Sequence, residues 1–119
     1  MTQHMVKVLG ELVRINSINR TLSGGPGENE IAKYVRQFLH NLDIESEVQP
    51  VSPQNANVIG LIQGDDRSRS IMLNAHLDTV GVDGMHTPFN LRYDGDTLYG
   101  RGTYDMKGSI AIMLLLAEY

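Results

Sequence analysis

The chain has 119 residues, 41% of them hydrophobic and 20% charged, which suits one globular domain with a workable core. A formal net charge of -4 gives no basic footprint for nucleic acid, and no run of like charges marks a tail or a membrane-surface helix. The absence of cysteine excludes disulfides and thiolate metal sites and fits a reducing compartment.

In chain order, Met1-Thr2-Gln3-His4-Met5 lacks the cationic region and apolar stretch of a signal peptide. Met5, Val8, Leu9, Leu12, Val13 and Ile15 then recur at helical spacing and predict an amphipathic helix that Asn16-Ser17-Ile18-Asn19 ends. Ser23-Gly24-Gly25-Pro26-Gly27 reads as a flexible connector, because no Gly-Lys-Ser/Thr follows it to cradle a phosphate. A second helix is expected from Glu28 to about Leu42, with Ile31, Tyr34, Val35, Phe38, Leu39 and Leu42 on one stripe. Glu45–Val51 reads as an edge strand because of Pro50 and the nearby Pro53. Asn57–Gln63 and Ser70–Ala75 read as two buried strands paired antiparallel across a short polar turn. Asp94-Gly95-Asp96 marks a hairpin, since glycine accepts the positive φ of a tight turn. Met106–Tyr119 reads as a buried helix. Its longest apolar run, Ile110–Ala117, is far shorter than the ~20 residues that span a bilayer, so no membrane partner and a cytoplasmic location are expected.

Chemistry-bearing residues concentrate in two segments. His76 lies where a strand runs out into a loop, and Asp78 follows two residues later, on the same face if the extended geometry continues. One reading has Asp78 accepting a hydrogen bond from one imidazole nitrogen while the other nitrogen binds metal. The other is a strand-end histidine beside a turn-forming aspartate. Asp105 precedes a helical run and reads either as a metal ligand or as an N-cap. Arg101 reads as a structural residue, His4 and His40 as surface residues, and His86 as a loop histidine.

Considered together, these segments resemble the zinc-dependent M20 family of peptidases and deacylases, which includes acetylornithine deacetylase, succinyl-diaminopimelate desuccinylase and aminoacylase. The resemblance runs through Glu11-Leu12-Val13-Arg14-Ile15, Gly27-Glu28, Asn57-Val58 and His76-Leu77-Asp78-Thr79-Val80. It continues through Thr87-Pro88-Phe89, Asp94-Gly95, Leu98-Tyr99-Gly100-Arg101-Gly102 and Asp105-Met106-Lys107-Gly108. It implies an α/β fold: residues 1–119 would be the N-terminal portion of a zinc-exopeptidase-like catalytic domain, with a mixed central sheet flanked by helices. A lid and dimerisation domain would be inserted later in the sequence, making the full-length protein a homodimer.

By the same resemblance, His76 and Asp105 are metal ligands, Asp105 bridging two Zn2+ ions, for which Co2+ or Mn2+ can substitute. Asp78 is implied to be the catalytic second carboxylate that orients His76, and the peptide bond after Asp105 is expected to be cis. The implied reaction is hydrolysis of the amide bond of a small N-acyl amino acid or short peptide by a metal-activated water. A glutamate base and the remaining ligands are expected beyond these residues, so this chain is expected to be an inactive part of the enzyme. A non-catalytic α/β scaffold or binding module on the same fold is the alternative.

Overall fold

The computed structural model describes residues 2–119; Met1, the first residue of the segment read above for a signal peptide, lies outside them. Helix α1 (Thr2–Arg14) forms as expected, because its apolar residues return every three or four positions. Val8, Leu9, Leu12 and Val13 on that stripe are buried. A one-turn helix α2 (Arg20–Ser23) follows, and α3 (Asn29–Asn41) buries Ile31, Ala32, Val35 and Leu39. Helix α4 (Gly108–Leu116) adds Ile110, Ala111, Leu114 and Leu115 to the same cluster. Three helices thus share one core, and each fully buried Leu or Ile there stabilises the fold by about 1.5–3 kcal/mol.

The strands form two separate antiparallel pairs. Strands β1 (Glu45–Ser52) and β2 (Asn55–Leu61) pair with Val48 opposite Val58, and the register slips between Pro50 and Ser52. This hairpin lies on α3, close enough that a Cβ at Gly60 would sit 2.9 Å from Leu39 Cδ1. Strands β3 (Arg92–Asp94) and β4 (Thr97–Tyr99) flank Gly95, whose φ of 58° fits the Asp-Gly turn. The α/β class holds. The only parallel pairing among the described residues is an isolated bridge between Ile18 and Thr79.

Three expectations need correction. The segment 70–75 forms no strand, and β2 pairs with β1 instead of with it. Ile71, Met72 and Leu73 are apolar enough for a central strand, yet they are 91%, 88% and 57% exposed because no neighbouring strand lies beside them among the described residues. The glycine-rich connector is not a loose one. Gly25 N–H donates to Asn19 O (3.1 Å) and Gly27 N–H to Ile18 O (3.1 Å), and a Cβ at Gly25 would fall 2.2 Å from Ile18 O. The last helix begins at Gly108, not Met106, because Thr103–Lys107 forms a wide turn in which Asp105 and Met106 leave helical geometry. Among the described residues no helix is long and apolar enough to cross a membrane.

Candidate metal centre

His76 and Asp105 are brought together by two segments that meet at an open cleft of about 250 Å³, lined by residues of 76–80 and 100–105. On the first segment, Thr79 pairs with the strand-like stretch after α1: its N–H donates to Ser17 O (2.9 Å), and its carbonyl accepts from Asn19 N–H (2.8 Å). On the second, Gly102 turns the chain with φ of 83°. A Cβ there would lie 2.9 Å from Thr79 Cγ2 and 3.0 Å from Lys107 Cδ, so only glycine permits this approach of the two segments.

The imidazole of His76 is held between two carboxylates. Nε2 lies 2.9 Å from Asp105 Oδ1, while Nδ1 lies 3.1 Å from Asp78 Oδ1 and 3.1 Å from Asp78 O. Burial favours the neutral ring, but hydrogen bonding to Asp105 and then to Asp78 outweighs it, so the His76 pKa is raised above its ordinary value. Asp105 makes no capping hydrogen bond to α4; its carboxylate turns back to His76 instead. The peptide bond between Asp105 and Met106 is cis, as expected.

Asn19, Glu28 and Lys107 complete the surroundings, Glu28 with Asn55 as its partner. Asn19 Nδ2 donates to Asp78 Oδ2 at 2.8 Å. The pKa of the Glu28 carboxyl is raised, first by burial and then by the charge of Asp78. With its amide turned to donate, Asn55 reaches Glu28 Oε2 at 3.0 Å. Lys107 is 1% exposed, and its Nζ donates to the carbonyls of Leu12 (2.9 Å) and Ile15 (2.7 Å) at the end of α1. None of these three roles is visible in local sequence: Asn19 sits in a stretch that only signals a helix stop, Glu28 in a helix start, and Lys107 beside a motif carboxylate. The amide of Asn19 meets Asp78, and Glu28 comes within reach of its charge, only after folding.

His86 is not among the cleft-lining residues, and His4 pairs at the surface with Glu118 (2.9 Å). Arg101 is held by its backbone, its N–H donating to Pro88 O at 2.7 Å.

The donor chemistry can be tested against a zinc ion. An imidazole nitrogen and a carboxylate oxygen sharing one tetrahedral zinc at 2.0–2.2 Å stand roughly 3.4 Å apart. The observed 2.9 Å separation of Nε2 and Oδ1 therefore needs to open by about half an ångström, a change within the reach of a half-exposed imidazole and an exposed carboxylate. Among the described residues no group of three or more metal-type donors assembles, so the residues fit as a pair and not as a complete ligand set.

Residues 72–119 match the model of peptidase family M20/M25/M40. Over those residues the chain is similar to M20-type sequences. It is 30% identical over 118 residues to a probable succinyl-diaminopimelate desuccinylase of Staphylococcus aureus, covering 95% of this chain and 27% of that protein. A protein of the same description from Staphylococcus epidermidis is 28% identical over 117 residues, again covering 95% of this chain and 27% of the relative. The N-formyl-4-amino-5-aminomethyl-2-methylpyrimidine deformylase of Halalkalibacterium halodurans is 31% identical over 88 residues, which cover 69% of this chain and 21% of that enzyme. The chain thus spans about a quarter of the length of these staphylococcal relatives.

Proposed function

We propose that this chain provides the first part of the active site of a metal-dependent amide-bond hydrolase. The observation that carries the reading is the arrangement around His76, with one ring nitrogen on Asp78 and the other facing Asp105. The relatives described as a desuccinylase and a deformylase support acyl-group removal from a small nitrogen compound, and an N-acyl amino acid or short peptide is the substrate class inferred.

In this reading His76 Nε2 and Asp105 hold metal, as two Zn2+ ions in the complete site or Co2+ or Mn2+ in their place. Bound zinc supplies Lewis-acid polarisation of the amide carbonyl and lowers the pKa of water to ~7. With metal bound, Asp78 would hold the proton on Nδ1 and leave the lone pair of Nε2 for the ion. The cleft leaves the Asp105 carboxylate open to solvent, with the Tyr104 side chain 96% exposed beside it. The general base and the remaining donors lie outside these residues, in the portion of the relatives that this chain does not span. The chain by itself therefore binds metal without hydrolysing substrate.

Titration calorimetry with zinc on the native chain and on a His76→Ala/Asp105→Ala variant tests the ligand assignment. Binding that disappears in the variant supports it; binding of equal strength in both proteins overturns it. Release of free amine from N-succinyl or N-acetyl amino acids by the zinc-treated chain alone would contradict the placement of the base elsewhere.

A further inference from the structure

We propose that Asn19 is a positioning residue of this site, fixing the plane of the Asp78 carboxylate and through it the ring of His76. The inference rests on the reading of His76 and Asp78 given above and adds a residue 59 positions away in sequence.

A carboxylate held at one oxygen is free to turn, because rotation about its terminal torsion is broad and roughly two-fold. Asp78 is held at both oxygens: Oδ1 meets His76 Nδ1 at 3.1 Å and Oδ2 receives Asn19 Nδ2 at 2.8 Å. The second bond selects one plane, and that plane aims Oδ1 at the ring.

Asn19 is itself fixed at every polar atom. Its Oδ1 accepts from Leu22 N–H (2.8 Å), capping α2, which leaves Nδ2 as the atom that turns to Asp78. Its N–H donates to Thr79 O (2.8 Å), and its carbonyl accepts from Ser23 N–H (3.2 Å) and Gly25 N–H (3.1 Å). The parallel bridge between Ile18 and Thr79 sets the registration that places residue 19 beside residue 78. Glu28 adds a reason for a donor here. Its charge acts on Asp78, and a fixed amide hydrogen on Oδ2 steadies the Asp78 carboxylate against that repulsion.

Serine also caps a helix but is too short to reach Asp78, so Asn19→Ser removes the donor while keeping the cap. The test is carried out on the full metal-free chain at one fixed neutral pH. Long-range proton–nitrogen NMR reads the two ring nitrogens of His76, and the Leu22 amide reports the cap. In Asn19→Ser the Nδ1 shift is expected to move towards its value in Asp78→Ala, with Leu22 unchanged. In the Asp78→Ala background, Asn19→Ser is expected to move nothing further, which is the signature of a residue acting through Asp78. A His76 ring unaffected by Asn19→Ser overturns the proposal, as does an equal shift with and without Asp78. Asn19→Thr, which keeps a capping oxygen and is too short to reach Asp78, is the second variant; collapse of the fold in both would assign Asn19 a structural role instead. Because no metal is present, failure of the zinc titration and failure of this test are separate results.

Discussion

Lys107 is the residue whose environment departs furthest from its chemical habit. Lysine is almost never fully buried unless paired, yet this one is 1% exposed and faces two backbone carbonyls, with no carboxylate partner among the described residues. Its ammonium satisfies Ile15 O at the end of α1, adds a second donor to Leu12 O, which also accepts from Ile15 N–H (3.3 Å), and favours the negative end of the helix dipole. Burial lowers its pKa to about 8, the cost of keeping that charge inside. Because Lys107 follows Asp105 by two residues, the same contact ties the turn bearing Asp105 to the core. Lys107→Met keeps most of the apolar stem but leaves Ile15 O unpaired and Leu12 O with only the Ile15 N–H. We expect a loss of about 2–3 kcal/mol, the range for hydrogen bonds to a charged group, read as a lower urea midpoint with an unchanged slope. A midpoint within error of the native chain would show that water replaces the ammonium without penalty. In sequence, this lysine next to a motif aspartate looks like a solvated charge, and only its burial and the close approach of Gly102 to its stem show otherwise.

Between elements, Tyr34 on α3 joins α1 by donating its hydroxyl to Glu11 Oε2 at 2.7 Å. Burial, then the hydrogen bond and the charge of Glu11, raises the Tyr34 pKa well above its ordinary value. A phenol whose folded pKa exceeds its unfolded value of ~10 contributes stability in full below that pH and loses it as pH rises towards the folded pKa. Tyr34→Phe is therefore expected to cost ~1 kcal/mol at neutral pH, with the gap from the native chain narrowing above pH ~10. Chemical denaturation of both proteins at several pH values measures this, and a gap independent of pH would contradict it. The helices of this core were legible because periodicity is local: Val8, Leu12, Ile31 and Val35 announce their face by spacing alone. The β3–β4 hairpin was legible for a similar reason, since Gly95 carries the turn itself. Ser70–Ala75 was not, because its apolar content describes a strand only when neighbours supply hydrogen bonds, and pairing is a tertiary property. At the site, His76, Asp78 and Asp105 stood out through their motifs. The Asn19 contact did not, because its geometry depends on a bridge between Ile18 and Thr79.

For the whole molecule, the exposed apolar side chains fall into a pattern. Ile59 and Leu61 of β2, Ile62, and Ile71 to Leu73 lie on the surface, as do Ile112 and Leu116 of α4. A scattered exposed leucine is ordinary, but three consecutive apolar residues on a segment with no strand partner among the described residues offer both hydrophobic surface and backbone groups to another chain. Self-association through residues 71–73 is the expected consequence. Ile71 is 91% exposed, so Ile71→Lys removes no core contact and should change stability by no more than about 0.5 kcal/mol. The same substitution places a charge on the open edge, where lysine opposes edge-to-edge pairing. Sedimentation of the native chain and the variant over a range of concentrations separates the two effects. Less association at unchanged stability places the contact at this segment. A variant that is instead markedly destabilised would mean that Ile71 is covered in solution, and the extended stretch leading to His76 would then have to be packed as a true strand.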